Sequence, residues 1–98
     1  MMTLYKGHAI LPRAHHEAMH EVRTYLVLAE SWQDAQKRIG SRELGAHFVT
    51  VPTAIPDPLL TEIPDPVLTE TRSIDAREFA DLRSACAWSE AMLRTRSE

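Results

Sequence analysis

Cysteine, glycine and long apolar runs are scarce in this chain, and each shortage excludes a class of protein. Cys86 is the single cysteine among 98 residues, so no disulfide within the chain can hold the fold, and a reducing compartment suits it. The three glycines never cluster, which excludes a glycine-rich phosphate-binding loop. No run approaches the ~20 apolar residues of a membrane helix, and the N-terminal residues hold no apolar stretch long enough for a signal peptide. We therefore expect a cytoplasmic protein without a membrane partner.

The composition is that of an ordinary folded protein. The chain is 44% hydrophobic and 26% charged, and its length suffices for one small domain with a modest core. The formal net charge of −3 argues against a nucleic-acid-binding protein, which usually presents a basic face. We expect a single domain that does not bind nucleic acid.

Three segments show the patterns of β-strands, at 3–11, 22–29 and 46–51. The first is followed by Pro12 and the last by another proline, and proline cannot donate an amide hydrogen to a sheet. Residues 22–29 are rich in β-branched and aromatic side chains. Together with the residues before them they also fit helical spacing, so a helix is the competing interpretation.

A helix is predicted to follow the second strand. Ser31 has Asp34 three positions later, an arrangement close to a capping box. It predicts a helix over 32–39 or a little beyond, with Gly40 as a candidate C-terminal cap. A new helix start at Ser31 fits better after a strand than in the middle of a helix that is already running. This signal therefore favours the strand at 22–29.

An octapeptide then occurs twice in tandem, IPDPLLTE at 55–62 and IPDPVLTE at 63–70. Five of the six prolines lie between positions 52 and 66, and each favours extended backbone and removes an amide donor. We therefore expect an extended, semi-rigid arm over 53–72. The arm either lies along its own domain or docks on a partner or a second subunit. Its candidate contact residues are apolar: Ile55, Leu59, Leu60, Ile63, Val67 and Leu68.

The last segment predicts an amphipathic helix. Asp75 or Ser73 is suited to cap it, and Glu78 lies three positions after Asp75. One predicted apolar stripe consists of Phe79, Leu82, Cys86 and Leu93, widened by Ala85, Trp88 and Met92. Trp32 and Trp88 are expected to form the core contact between the two helices and the sheet.

The segment HHEAMHE, residues 15–21, contains the string H-E-x-x-H and so resembles the motif of zinc peptidases. The resemblance covers five residues. It implies a helix through 14–21 on which His16 and His20 hold zinc while Glu17 acts as the general base.

The neighbours of this string favour a structural interpretation. Pro12 leaves room for only about one helical turn before His16, and a strand is predicted directly after the string. We interpret residues 12–21 as a polar connector between two strands, with a zinc site as the alternative.

The sequence therefore predicts an α+β fold. A small, mainly antiparallel three-stranded sheet carries one short helix, and the proline-rich arm joins it to a C-terminal amphipathic helix. Residues 1–52 would form a β-β-α-β core, 53–72 the arm and 73–98 the helix that completes the core, as one domain. If that helix crosses to a second chain, the protein is a swapped dimer.

The preferred function is a non-enzymatic protein-binding module that acts by protein–protein contact and self-association as a homo-oligomer. Small acidic proteins of this type occur among phage and mobile-element accessory proteins. No cofactor is expected in that case. One alternative is a zinc-dependent hydrolase that uses the HEAMH segment. Another is a small-ligand-binding domain with its pocket between the sheet and the C-terminal helix, near Trp32 and Trp88.

Overall fold

The protein is a small α+β domain, as predicted. The computed structural model describes residues 2–12, 19–56 and 66–96. The elements are, in chain order, β1 (Thr3–Leu11), β2 (His20–Ala29), α1 (Trp32–Arg42), β3 (Phe48–Val49), β4 (Thr53–Ala54), β5 (Val67–Ile74) and α2 (Ala76–Arg96). All strand pairs are antiparallel, but the sheet contains five strands where three were predicted.

The central pair of the sheet is β1 with β2. Their register places Thr3 opposite Ala29 and continues without a break to the other end of β1. Both faces of β2 are covered, since Val22 on one face and Val27 on the other are each 1% exposed. The strand prediction is therefore confirmed and the helical alternative for this segment is wrong. A strand buries apolar groups on two faces, whereas a surface helix buries a single stripe.

Two short strands pair with one edge of β1. Only β3 lies within the third predicted strand, at 46–51, and β4 lies in the segment predicted as the arm. Val49 lies opposite Ala9 in β3, and pairing resumes after a one-residue shift with Thr53 opposite Lys6 in β4. Between them, Thr50 donates its amide hydrogen to the His8 carbonyl over 2.8 Å. Pro52 was predicted to end the strand, but it only interrupts the pairing with β1. It lacks an amide hydrogen to donate, and the residues on either side of it still pair with β1. We call this edge the β3–β4 edge.

The predicted arm ends in a strand. β5 pairs with β2 from Ile74 opposite His20 to Val67 opposite Leu26, with a bulge beside Thr24 and Tyr25. The prediction of an arm through residue 72 is wrong for this part, and the same error explains why the fifth strand was not predicted. Proline favours extended backbone, and the residues after Pro66 keep that geometry while every one of them has an amide hydrogen to donate.

Helix α1 covers one face of the sheet. Ser31 caps it by accepting a hydrogen bond from the Asp34 amide over 3.1 Å, as predicted. Ala35 and Ile39 are fully buried against a cluster of strand residues: Ala9, Tyr25, Val27 and Ala29. The helix continues to Arg42, a little beyond residue 39 as the prediction allowed, but the candidate cap at Gly40 is wrong. Glu43 is the C-terminal cap instead, and its amide donates to the Ile39 carbonyl.

Helix α2 packs on the other face of the sheet. Its first turns place Phe79 and Leu82 over a buried cluster of Ile10, Val22 and Ile74. Farther along, Cys86 is buried and Leu93 half-buried, so the first predicted stripe does face the sheet. None of the helices in the described ranges is long and apolar enough to span a membrane.

The predicted widening of that stripe is wrong. Ala85, Trp88 and Met92 are exposed, and Trp88 retains 66% of its surface in solvent. Trp32, at the start of α1, is half-buried. The two tryptophans therefore do not form a shared core contact. At about 100° per residue, Trp88 lies roughly 160° around α2 from Cys86, well outside the stripe that faces the sheet.

Candidate protein-binding surface

The histidine segment begins outside the described residues and ends in the sheet. His16 and Glu17 fall within residues 13–18, which the structure leaves undescribed, while His20 opens β2. The helix through 14–21 that would present both histidines on one face therefore does not extend to His20. Within the described ranges, no three His, Cys, Asp or Glu side chains are grouped to hold a metal ion. A zinc site at His16, Glu17 and His20 remains a prediction.

His20 packs against the start of α2. Its ring stacks on Phe79 with centroids 4.0 Å apart, and His47 meets both rings edge-on at 5.9 and 5.6 Å. Phe48 meets Phe79 at 5.6 Å from the other side. This aromatic cluster joins α2 to the sheet. Sequence analysis missed it, since no local pattern shows that a strand-end histidine and a helix phenylalanine far along the chain will meet.

A buried carboxylate ties the end of α1 to β2. Glu43 accepts hydrogen bonds from Arg23 Nη1 at 2.9 and 3.1 Å and from the Tyr25 hydroxyl, and its side chain is only 9% exposed. Arg23 also donates to Glu21 over 2.7 Å. We call these four residues the Glu43 network. The one feature of the sequence that pointed to this network is that Arg23 and Tyr25 share one face of a predicted strand.

The pKa values of Glu43 and Tyr25 are shifted in opposite directions. Burial alone would raise the pKa of Glu43, but the hydrogen bonds from Tyr25 and Arg23 outweigh it and hold that pKa below its usual range. Burial and the hydrogen bond to Glu43 raise the pKa of Tyr25 to about 12. At neutral pH Glu43 is ionised and Tyr25 is protonated. The network therefore serves to hold the end of α1 against β2.

A second polar group lies beneath α2. The ring of His8 is hydrogen-bonded through Nδ1 to the Thr24 hydroxyl over 2.8 Å, and Thr50 Oγ1 accepts from the His8 amide over 3.0 Å. His8 and Thr50 border a cavity of about 180 Å³ that also contacts Cys86 and Ser89. Burial, with the positive charges of two neighbouring side chains, lowers the pKa of His8.

The Cys86 thiol in that cavity is not activated. Burial and the negative charge of Glu90 raise its pKa, so it is protonated at neutral pH. Its Sγ lies 3.4 Å from the Val49 carbonyl oxygen, as expected for a thiol donating a weak hydrogen bond. The reactive form of cysteine is the thiolate, so this side chain acts as part of the core.

A groove of about 490 Å³ separates α1 from α2 above β3. Gln36 spans it by donating from Nε2 to the Val49 carbonyl over 2.8 Å and to Glu90 over 3.0 Å. Lys37 and Arg83 border it from opposite helices. Its volume would hold a small ligand, but five of its nine lining residues are long polar side chains, whereas ligand pockets are lined mainly by apolar ones.

A more apolar groove lies where α2 passes over the β3–β4 edge. Its volume is about 320 Å³, and it is formed by Val51, Thr53, Trp88, Ser89, Met92 and Leu93. We call it the Trp88 groove. Trp88 is 66% exposed and Met92 43% exposed, so the two largest side chains stand open to solvent one helical turn apart. Trp32 does not border this groove, so the ligand pocket predicted near both tryptophans is not formed there.

The predicted contact residues of the arm divide between two parts of the structure. Val67 and Leu68 begin β5 and are 45% and 49% exposed. Ile55 is half-buried, and its amide donates to the Leu4 carbonyl over 2.8 Å at the β3–β4 edge. The other three, Leu59, Leu60 and Ile63, lie outside the described residues.

Comparison of this chain with protein-family models, with curated proteins and with solved structures finds no match.

Proposed function

We propose that this protein is a non-enzymatic protein-binding module, and that its Trp88 groove receives an apolar side chain of a partner protein. The observation that carries the proposal is the exposure of Trp88 beside an apolar groove. Tryptophan buries a large apolar area when it is covered, and it is among the residues most enriched at the energetic centres of protein interfaces. Trp88 is 66% exposed in the isolated chain.

The surroundings of Trp88 support a protein partner rather than a small molecule. Met92 lies one turn away and is 43% exposed, and its flexible thioether adapts to differently shaped partners. Val51 and Thr53 form the opposite wall on the β3–β4 edge. A groove with one open side suits an inserted side chain from a folded or extended segment, whereas small ligands are usually enclosed on most of their surface.

The chemistry of the ionisable side chains also supports a binding role. Glu43 is held by Arg23 and Tyr25, and the Cys86 thiol is protonated by the effect of its burial. Both are engaged in packing or hydrogen bonding within the fold. Neither is positioned as a nucleophile with an adjacent base.

The proposal is tested by selecting binders from a displayed random-peptide library. Peptides selected on the wild-type protein are expected to share an apolar anchor, and to shift backbone amide resonances of residues 51–53 and 88–93 in NMR titrations. In the variant Trp88→Ala, affinity should fall roughly 30-fold or more, the size expected of an interface hot spot. The matched control is Arg94→Ala, an exposed change on the same helix that leaves the groove intact.

Two results would overturn the proposal. One is a set of selected peptides that bind Trp88→Ala as tightly as the wild type. The other is a set of NMR shifts that map away from the Trp88 groove, for instance to the polar groove between α1 and α2.

A further inference from the structure

Strand β5 is the outermost strand of the sheet in the described part of the chain. The strands follow the order β3-β1-β2-β5, and no strand among residues 2–12, 19–56 and 66–96 pairs with the outer side of β5. Its first seven residues, 67–73, are exposed on both faces of the sheet. An edge strand of this length presents a row of backbone groups that can pair with another strand, and natural proteins usually protect such edges.

The geometry of self-pairing limits how two copies of β5 can meet. Antiparallel edge strands of identical chains are related by a two-fold axis perpendicular to the sheet, so the residue on the axis lies opposite its own copy. An axis at Glu70 would place two carboxylates opposite each other, and one at Arg72 would place two guanidinium groups together. Like charges directly opposite are destabilising.

An axis at Thr71 gives the complementary arrangement. Each Glu70 then lies opposite the partner's Arg72, so two Glu–Arg pairs flank a central pair of threonines. Glu70 and Arg72 extend from the same face of the sheet, because they lie opposite Thr24 and Val22 in β2. Opposite-charge pairs and threonine pairs at directly opposed positions both stabilise antiparallel strands.

We propose that two copies of this chain pair through β5, antiparallel and centred on Thr71, to form one continuous sheet. Within one chain, Arg72 Nε is 3.9 Å from Glu70 Oε1, which is a loose contact between next-nearest residues of one strand. Directly opposed side chains on neighbouring strands start closer together, with β-carbons about 4.5–5.5 Å apart. Arg72 also donates from Nη1 to Glu78 over 2.8 Å, which holds its side chain on the α2 face of the sheet.

This contact does not depend on the Trp88 groove. The groove lies over the β3–β4 edge, and β5 is at the opposite edge of the sheet. A dimer formed through β5 would leave both grooves uncovered. Failure of the dimer and failure of the proposed binding function are therefore separate results.

The test is sedimentation equilibrium of the full chain over a range of concentrations. Pairing of one strand with its copy is a small interface, so the wild type should show a concentration-dependent monomer–dimer equilibrium. Glu70→Arg places arginines opposite each other and should weaken dimerisation at least about tenfold. The double change Glu70→Arg/Arg72→Glu is made in a Glu78→Gln background, so that position 72 does not face a second carboxylate. It restores opposite charges across the strands and should recover most of the affinity that Glu78→Gln alone shows. Arg94→Glu, an exposed charge reversal on α2, is the control and should have no effect.

A second measurement checks the register directly. In a Cys86→Ser background, Thr71→Cys should form an intermolecular disulfide under mild oxidation, since the two copies lie opposite each other on the axis. Thr95→Cys, on α2 away from the edge, should not. Far-UV circular dichroism confirms that each variant is folded, and Glu70 is 61% exposed, so its reversal leaves the core unchanged.

The proposal is overturned if the wild type is monomeric up to about 1 mM, a concentration at which even a weak specific contact is populated. It is overturned equally if a dimer forms but Glu70→Arg leaves its dissociation constant unchanged, or if the double variant stays as weak as the single one.

Discussion

Removal of the Glu43 carboxylate is the most informative test of how α1 is fixed to the sheet. Glu43 follows the last turn of α1, where the helix dipole disfavours a negative charge. It is nevertheless ionised and 9% exposed, because Arg23 and Tyr25 donate to it from β2. In Glu43→Ala, the Tyr25 hydroxyl would lose its partner and Arg23 would keep only Glu21.

The expected loss of stability follows from these contacts. Hydrogen bonds to charged groups contribute about 1.5–3 kcal/mol each when buried. Arg23 is 37% exposed, so water can replace part of what it loses. We expect Glu43→Ala to lower the free energy of unfolding by about 2–3 kcal/mol, which is on the order of 10 °C or more in Tm for a domain of this size.

The contribution of the Glu43 network should also depend on pH at both ends of the range. The folded-state pKa of Glu43 is lowered, so its contribution is present above the ordinary carboxyl pKa and is lost as the pH falls through the folded value. The folded-state pKa of Tyr25 is raised from 10.0 to about 12. Its contribution is present below pH 10.0 and is lost as the pH rises through about 12.

Urea unfolding followed by far-UV circular dichroism at pH 7 measures the loss of stability, with Glu21→Ala as the matched control. Glu21 binds the same arginine over 2.7 Å but is 28% exposed and does not contact Tyr25, so its removal should cost less than about 1 kcal/mol. Absorbance at 295 nm should show a late phenol ionisation that is absent in Tyr25→Phe. Equal losses in Glu43→Ala and Glu21→Ala would refute the argument that burial makes the first carboxylate important.

Two further predictions concern α1. A β-carbon on Gly7 would lie 2.7 Å from Ile39 Cδ1, so Gly7→Ala should destabilise the fold by about 1–3 kcal/mol. Ile39→Val removes that methyl group. In urea unfolding, the double variant Gly7→Ala/Ile39→Val should therefore lose less stability than the sum of the losses in the two single variants. Strict additivity of the two losses would show that this contact is not the cause. Ser31 Oγ accepts from the Asp34 amide over 3.1 Å, so Ser31→Ala should lower the Tm by an amount equivalent to about 1 kcal/mol. Ser41→Ala, which removes only a hydroxyl bonded within the helix, should leave the Tm nearly unchanged and serves as the control for Ser31→Ala.

Much of the secondary structure could be predicted from short stretches of sequence. The boundaries of β1 match the predicted 3–11, and α1 begins directly after its cap at Ser31. The C-terminal helix also begins where its acidic capping pattern placed it, with Asp75 accepting from the Glu78 amide over 2.8 Å. These signals are local, because a cap or a periodic pattern involves residues within one or two turns of each other.

The fifth strand could not be predicted with the same means. Val67–Ile74 includes the end of the second octapeptide, and composition could show only that this segment is extended. Whether an extended segment pairs with a strand depends on a free edge of matching length nearby. The second edge of β2 provides it, and that edge exists only after β1 and β2 have paired.

The candidate site was the part least accessible to sequence analysis. At about 100° per residue, Trp88 lies roughly 160° around α2 from Cys86, and accordingly the cysteine is buried while the tryptophan is 66% exposed. The spacing therefore accounts for the exposure of Trp88, whereas the groove beside it also needs Val51 and Thr53 and so depends on where α2 lies on the sheet. The Glu43 network likewise requires the end of α1 to lie over β2.

Local patterns in the sequence were enough to predict the fold class, the two faces of the central strands and the starting points of both helices. Periodicity and capping are properties of neighbouring residues. The tertiary structure alone decided that β5 is an edge strand, that Glu43 is buried beside Arg23 and Tyr25, and that Trp88 stands open beside a groove. Each of these depends on which surfaces meet after the chain has folded, and local patterns of residues do not predict long-range contacts of that kind.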